Sequence, residues 1–133
     1  MSQENVEVIR GMLAAFNRGD VVAVIAAFDR DCALDEPWEM PDSPRSGFRG
    51  HDGVRDWMTN LREVVGVRFE ALGFTTIGDV IVGEFAARGL GQASGVPVEW
   101  TTFAVVRMRD RKIMRAQAFL TKDEAVQAAG LPE

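Results

Sequence analysis

The chain has 133 residues, 47% of them hydrophobic and 26% charged, a composition that suits one globular domain and excludes a disordered or collagen-like protein. Its net charge of −5 opposes a polyanionic partner, and no cluster of Lys and Arg among stacking aromatics offsets it, so nucleic acid is not expected. One cysteine, Cys32, and one histidine, His51, are too few for an internal disulfide or a zinc site, and no phosphate-binding glycine motif occurs, so no metal and no cofactor is expected.

The opening stretch "MSQENVEVIRGML" lacks a basic segment followed by an apolar one, and no apolar run approaches a membrane span. A cytoplasmic location with no membrane partner is the expectation. Val6, Ile9, Met12, Leu13 and Phe16 recur at helical spacing, which predicts an amphipathic helix over residues 3–17 that stops at Gly19. Asp20 then caps a second helix whose stripe is Val21, Val24, Ile25 and Phe28. Cys32 to Glu36 reads as a short strand ended by Pro37, which cannot donate to a ladder.

After a proline-rich connection, "HDGVRDWMTNLREVVG" places Val54, Trp57, Met58, Leu61, Val64 and Val65 on one helical face, with Gly66 as the stop. The second half changes period. "VRFEALGF", "VIVGEFAAR", "VEWTTFAVVRMR" and "IMRAQAFL" are strand-like runs between Gly-rich or charged turns, as in an antiparallel meander. "TKDEAVQAAG" carries Thr121 and Glu124 at capping-box spacing and predicts a short last helix ended by Gly130. The order α-α-β-α-β-β-β-β-α, with neither repeat nor internal linker, implies a single α+β domain over residues 1–133, with helices on one face of a curved sheet.

Alternation assigns the faces. From Val98 to Arg109 the even positions, including Trp100, Thr102, Ala104, Val106 and Met108, form the inner face; on the last strand Met114, Ala116, Ala118 and Leu120 do. The alanines leave little volume in the middle of that face, so a helix approaches closely there or a cavity remains. On the strand from Val80 to Arg88 the odd positions are wholly apolar, which turns Glu84 and Arg88 outward. Phe103, Val105 and Phe119 would then leave apolar surface on the outer face, which predicts a homodimer.

The short strand ends in two acids. Leu34 and Cys32 share a side with Glu36, so Glu36 is the inward one and Asp35 its outward neighbour. A carboxylate at the mouth of an apolar cavity loses hydration and becomes a stronger base near neutral pH, as removal of a proton beside a carbonyl requires. Trp38 and Trp57 offer apolar walls and indole donors. Solvated acids at a strand end are the plain alternative. His51, between Gly50 and Asp52 at the start of the third helix, serves either exposed backbone groups or catalysis.

"AAFNRGDVVAVIAAF", the acid-acid-proline that follows, "GFRGHDGVRDW" and "RKIMRAQAFLTKDEAVQAAGL" together resemble the nuclear transport factor two-like superfamily, and within it the SnoaL-like branch of polyketide cyclases and ketosteroid isomerase relatives. The resemblance implies a cone: a strongly curved, mainly antiparallel sheet wrapped against three helices, with an apolar pocket at one end and a short C-terminal helix. It places Glu36 where ketosteroid isomerases carry their general-base aspartate and Trp57 at an aromatic wall. Met12 and Ala104 fall where those enzymes carry an oxyanion-binding tyrosine and aspartate, and the acid that polyketide cyclases carry near the last strand has no counterpart among Ala116, Gln117, Ala118 and Phe119.

The same resemblance would turn Glu84 and Arg88 inward, against the residue pattern, as a pair similar to that of limonene-type epoxide hydrolases. It implies an isomerase or cyclase that moves a proton next to a carbonyl of a polyketide-, steroid- or terpenoid-like metabolite. Glu36 is the base, and His51 or an indole N–H steadies the enolate. Met12, Phe16, Trp38 and Trp57 are the expected ligand contacts from the first half, with Glu84, Arg88, Trp100, Thr102, Ala104 and Ala118 from the second. A non-catalytic domain that binds a small hydrophobic metabolite and an epoxide hydrolase are the alternatives.

Overall fold

The computed structural model of the chain describes residues 2–36, 47–90 and 95–130. Helix α1 (Ser2–Arg18) and the short α2 (Val21–Ala26) precede strand β1 (Phe28–Asp35); β2 (Gly47–Arg49) leads into α3 (Gly50–Thr59). Strands β3 (Val67–Ile77), β4 (Val80–Leu90), β5 (Pro97–Arg109) and β6 (Lys112–Phe119) follow, and α4 (Lys122–Ala129) is the last helix.

Local chemistry sets the junctions. Asp20 accepts a hydrogen bond from the Ala23 N–H at 3.1 Å and so caps α2. Gly66, at φ 77°, closes a π-helical turn that continues α3 through Asn60–Val65, a left-handed end that glycine adopts without steric cost. Thr121 accepts from the Glu124 N–H at 3.2 Å and its hydroxyl donates to the Glu124 carboxylate at 2.8 Å, the two halves of a local cap on α4.

Six strands form one curved sheet in the order β2-β1-β6-β5-β4-β3. All neighbours are antiparallel except β1 and β6. The main core lies between the inner face and the first three helices, where Ile9, Phe16, Val24, Cys32, Val54 and Ile113 are at most 1% exposed. Each such side chain removed from water contributes roughly 1.5–3 kcal/mol, which makes this layer the main source of stability.

Three expectations change. Phe28 opens β1 instead of extending α2's stripe, though it stays buried; β2, of three residues, is too short to show a period. Opposite β5, the pairing jumps from Arg107↔Arg115 to Met108↔Ile113, so Met114 is an extra residue in a bulge and the alternation reverses there. Ile113 takes the inner position expected of Met114, and Leu120 is 52% exposed beyond the strand.

The third change concerns the outer face. Val105, 1% exposed, packs with Val80, Val82, Phe103 and Phe119 beneath Ala125 and Ala129 of α4, and Arg107 donates to the Ala128 carbonyl at the helix end (3.3 Å). Of the apolar residues that carried the expectation of a homodimer, Val105 is thus covered within the chain, while Phe103 and Phe119 remain partly exposed beside it.

At the other end of the sheet, β3 is an edge, and α1 deals with it. The Asn17 side chain donates to the Phe69 carbonyl (2.8 Å) and accepts from the Phe69 N–H (3.0 Å), so it imitates a neighbouring strand for one residue. N17A leaves both backbone groups without that partner and is expected to cost about 1–3 kcal/mol. Urea unfolding measures this, and N17A with a midpoint equal to wild type would contradict it.

Candidate functional site

Between the helices and the sheet lies a cavity of about 70 Å³, several times the roughly 10–15 Å³ that a single water needs on the same measure. Its floor is built from small residues in register. Gly83 pairs with Ala104 and Ala104 with Ala118, while the next row runs Ile81, Val106, Ala116 and Leu34. The Phe85 ring lies over Gly83 so closely that a Cβ there would strike it. Small side chains in the middle of the inner face thus make room that the helices do not fill.

The walls come from the other elements. Met12, with Ile9 and Leu13, lines the cavity from α1; Trp57 does so from α3, Leu61 from the π turn, and Phe28 and Leu34 from β1. Phe69, Phe85, Trp100 and Thr102 complete it from the sheet. Thr102 is 7% exposed and its hydroxyl donates at 3.4 Å to the Phe119 carbonyl, a long contact.

Phe16 is fully buried but stands one layer behind. Its ring packs 5.3 Å from Trp57 and 5.2 Å from Phe69, centroid to centroid, so it supports the wall without reaching the cavity. The Trp57 ring also meets Phe28 at 6.5 Å.

Asp35 and Glu36 border this apolar space. Asp35 is held between Arg49 (3.3 Å) and Arg115 (3.4 Å). Glu36 receives the Trp57 indole N–H at 2.7 Å. Burial pushes the Glu36 carboxyl above the ordinary glutamate range; the Trp57 N–H favours the carboxylate and offsets part of the rise, and the negative Asp35 adds to it.

Other expected site residues lie elsewhere. His51 points to β1, with Nε2 2.9 Å from the Phe28 carbonyl oxygen; because a carbonyl only accepts, Nε2 is the donor, and the ring ties α3 to the start of β1. Glu84 and Arg88 stand on the face opposite the cavity, in the same alternating set as the outward Val80 and Val82. Arg88 binds Glu70 (2.9 Å) and Glu99 (3.5 Å) on the surface. They do not converge with Glu36, so the epoxide-hydrolase arrangement is not formed. Trp38 falls outside the described residues.

Ile9, Leu13, Phe28 and Phe85 line the cavity without having been singled out. They sit in apolar stripes that the sequence shows plainly, but periodicity does not separate residues that border an empty space from those that fill one.

A family model for the SnoaL-like domain matches residues 9–116. The chain belongs to the SnoaL-like domain family. Among curated proteins no sequence matches, whereas solved structures of the wider nuclear transport factor two-like fold match closely in shape. The structure of TerC co-crystallised with polyporic acid matches at 18% identity and a TM-score of 0.76, over 96% of this chain and 99% of that one. A hypothetical protein with a ketosteroid isomerase-like fold from Catenulispora acidiphila DSM 44928, in complex with trimethylamine, matches at 16% identity and 0.73, over 95% and 94%. A proposed isomerase from Bacillus subtilis matches at 18% and 0.76, over 98% and 97%. At such identities the likeness is one of fold.

The raised pKa of Glu36 has a direct sign for stability. Its contribution is fully present below the ordinary value of 4.5 and is lost as pH rises through the folded pKa, because the folded state holds the proton more tightly than the unfolded one. Glu36→Gln retains an acceptor for Trp57 and removes the charge. Its melting temperature relative to wild type should therefore be higher at pH 8 than at pH 4; W57F, which deletes the donor, should push the Glu36 carboxyl further up in an NMR titration. A Glu36 signal that moves down in W57F would contradict the assignment.

Proposed function

We propose that the cavity binds a small, mostly apolar carbonyl compound and that Glu36 moves a proton next to the carbonyl, as in an isomerase or cyclase that needs no cofactor. The observation that carries this reading is the Glu36 carboxyl itself, withdrawn from water at the edge of an apolar cavity and fixed at 2.7 Å by the Trp57 indole. Burial makes the carboxylate a stronger base, and the hydrogen bond holds its direction. The carboxylate takes the proton from carbon, the electron pair moves onto the carbonyl oxygen as an enolate, and Glu36 returns a proton, the original or one exchanged with solvent, to the same carbon or, in a conjugated enolate, to a different one.

The lining includes Thr102, whose hydroxyl would have to leave the Phe119 carbonyl to donate toward an enolate oxygen, and the Trp100 side chain. His51, engaged with Phe28, is left out of this reading. A cavity of about 70 Å³ suits one ring or a short branched chain; a steroid-sized ligand would project through the mouth. The small ligands named with two structural relatives, polyporic acid and trimethylamine, support small-molecule binding in this fold.

A second reading, a domain that binds without catalysis, is favoured by one observation. Met12 and Ala104 line the cavity where ketosteroid isomerases carry their oxyanion donors, and neither side chain can donate a hydrogen bond.

Deuterium exchange separates the two. In D₂O, wild-type protein should accelerate exchange of protons next to the carbonyl in a panel of one- and two-ring ketones, followed by proton NMR. The rate should rise with pH through the folded pKa of Glu36 and then level. Glu36→Gln should lose the acceleration, a loss on the order of 10²–10⁴ for a removed general base. No acceleration by wild type alongside ligand-induced melting shifts would favour binding alone, and full activity in Glu36→Gln would place the base elsewhere.

A further inference from the structure

The charges on the cavity lining all have one sign. Asp35 and Glu36 are its only ionisable members among the described residues, and no Lys, Arg or His joins them. Five aromatic rings surround the same space, Phe28, Trp57, Phe69, Phe85 and Trp100. Glu36 accepts from the edge of the Trp57 ring, and Phe28 stands 6.5 Å from that ring. A carboxyl and at least two aromatic side chains are thus neighbours of one small volume.

Aromatic faces attract a cation electrostatically, most strongly where water is excluded. An anionic ligand would meet no countercharge among the described lining residues. An ammonium with several N–H groups would need several acceptors in a space that is otherwise apolar, whereas a quaternary ammonium has no N–H to satisfy and presents methyl groups to the walls. We propose that this cavity binds small quaternary ammonium compounds, with the positive head against the Glu36 carboxylate and the aromatic rings and the alkyl groups on the alanine floor. The proposal rests on the reading of the cavity as a ligand site and names a class of ligand for it.

The choice between charged and neutral ligands then follows the protonation of Glu36. Below its folded pKa Glu36 brings no charge to the lining and a neutral compound fits; above it the carboxylate favours the cation, and cation binding in turn lowers the pKa and releases a proton. The charged groups that bear on Glu36 are Asp35 at the end of β1 and, through Asp35, Arg49 of β2 and Arg115 of β6. To the described lining α1 and α3 bring only Ile9, Met12, Leu13 and Trp57, none of which titrates, and β5 brings no charge.

Calorimetric titration of the full chain with choline and with 3,3-dimethylbutan-1-ol, its uncharged carbon counterpart, tests this from pH 5 to pH 8. At pH 8 choline should bind about tenfold tighter than the alcohol, the scale of a desolvated cation–π and carboxylate contact. The preference should shrink toward pH 5 and vanish in Glu36→Gln, whose melting transition checks its fold; the wild-type pH profile stands independently of that variant. Equal binding of the two compounds by wild type at pH 8, or a choline preference that survives in Glu36→Gln, overturns the cation proposal and leaves the cavity a site for neutral ligands. If neither compound binds at millimolar concentration while ketone exchange persists, the cation proposal falls and the general-base reading stands; if exchange is absent as well, both fall.

Discussion

The hydrogen bond from the Trp57 indole to Glu36 joins the two layers of the fold at the edge of the cavity. Trp57 belongs to α3 and Glu36 follows the last residue of β1, so the 2.7 Å contact spans helix and sheet. A carboxyl partly withdrawn from water is steadied by a partner. An indole N–H only donates, and a carboxyl oxygen accepts in both protonation states. The pair therefore survives the gain and loss of a proton, and the base keeps its position through the cycle assigned to it. The support continues outward: Phe16 backs both Trp57 and Phe69, and Asn17, the next residue of α1, holds the Phe69 backbone.

The opposite wall is a consequence of small side chains. Gly83, Ala104 and Ala118 lie side by side on three strands, and the bulge at Met114 turns Ile113 inward below them. Close packing would normally remove such a space by letting a helix settle onto it. Here Met12, Trp57, Leu61 and the aromatic residues of the sheet hold the helices away, and the cavity persists because both sides are themselves fixed by burial.

Much of the fold was legible because its helices and long strands carry strong apolar periods. Ile9, Met12, Leu13 and Phe16 mark α1, and Val54, Trp57, Met58 and Leu61 mark α3 and the turn after it; each buried set follows the helical repeat. On β4 the odd positions were wholly apolar, and that local pattern turned Glu84 and Arg88 outward where a family likeness suggested the reverse. The short β2 and the bulge escaped because three residues show no period and one extra residue reverses it. The cover over Val105 escaped for another reason: Ala125 and Ala129 are too small to advertise a buried helix face. At the site, Glu36 and Trp57 could be singled out by residue type and alternation, but the contact between them depends on how α3 sits against β1, which no local signal encodes. Asn17 belongs to the same class, a polar residue at a helix end whose partner lies 52 positions away.

The residues that surround Glu36 bound the chemistry it can support. A single preorganised donor to a developing oxyanion is worth on the order of 10²–10³ in rate, and Met12 and Ala104, which line the cavity, supply none. Burial raises the basicity of Glu36 but does nothing for the negative charge that its action creates on the ligand. The Thr102 hydroxyl already donates to the Phe119 carbonyl, so that charge must be accommodated by a change of partner there or by the ligand itself. A ligand that delocalises its own carbanion, or carries a positive charge close to it, removes the need for the missing donors. The same positive charge would meet the aromatic walls and the acidic mouth favourably while it lowers the basicity of Glu36. Base strength and cation affinity therefore pull against each other in this cavity, and the balance between them is set by the distance a ligand keeps between its charge and the carboxylate.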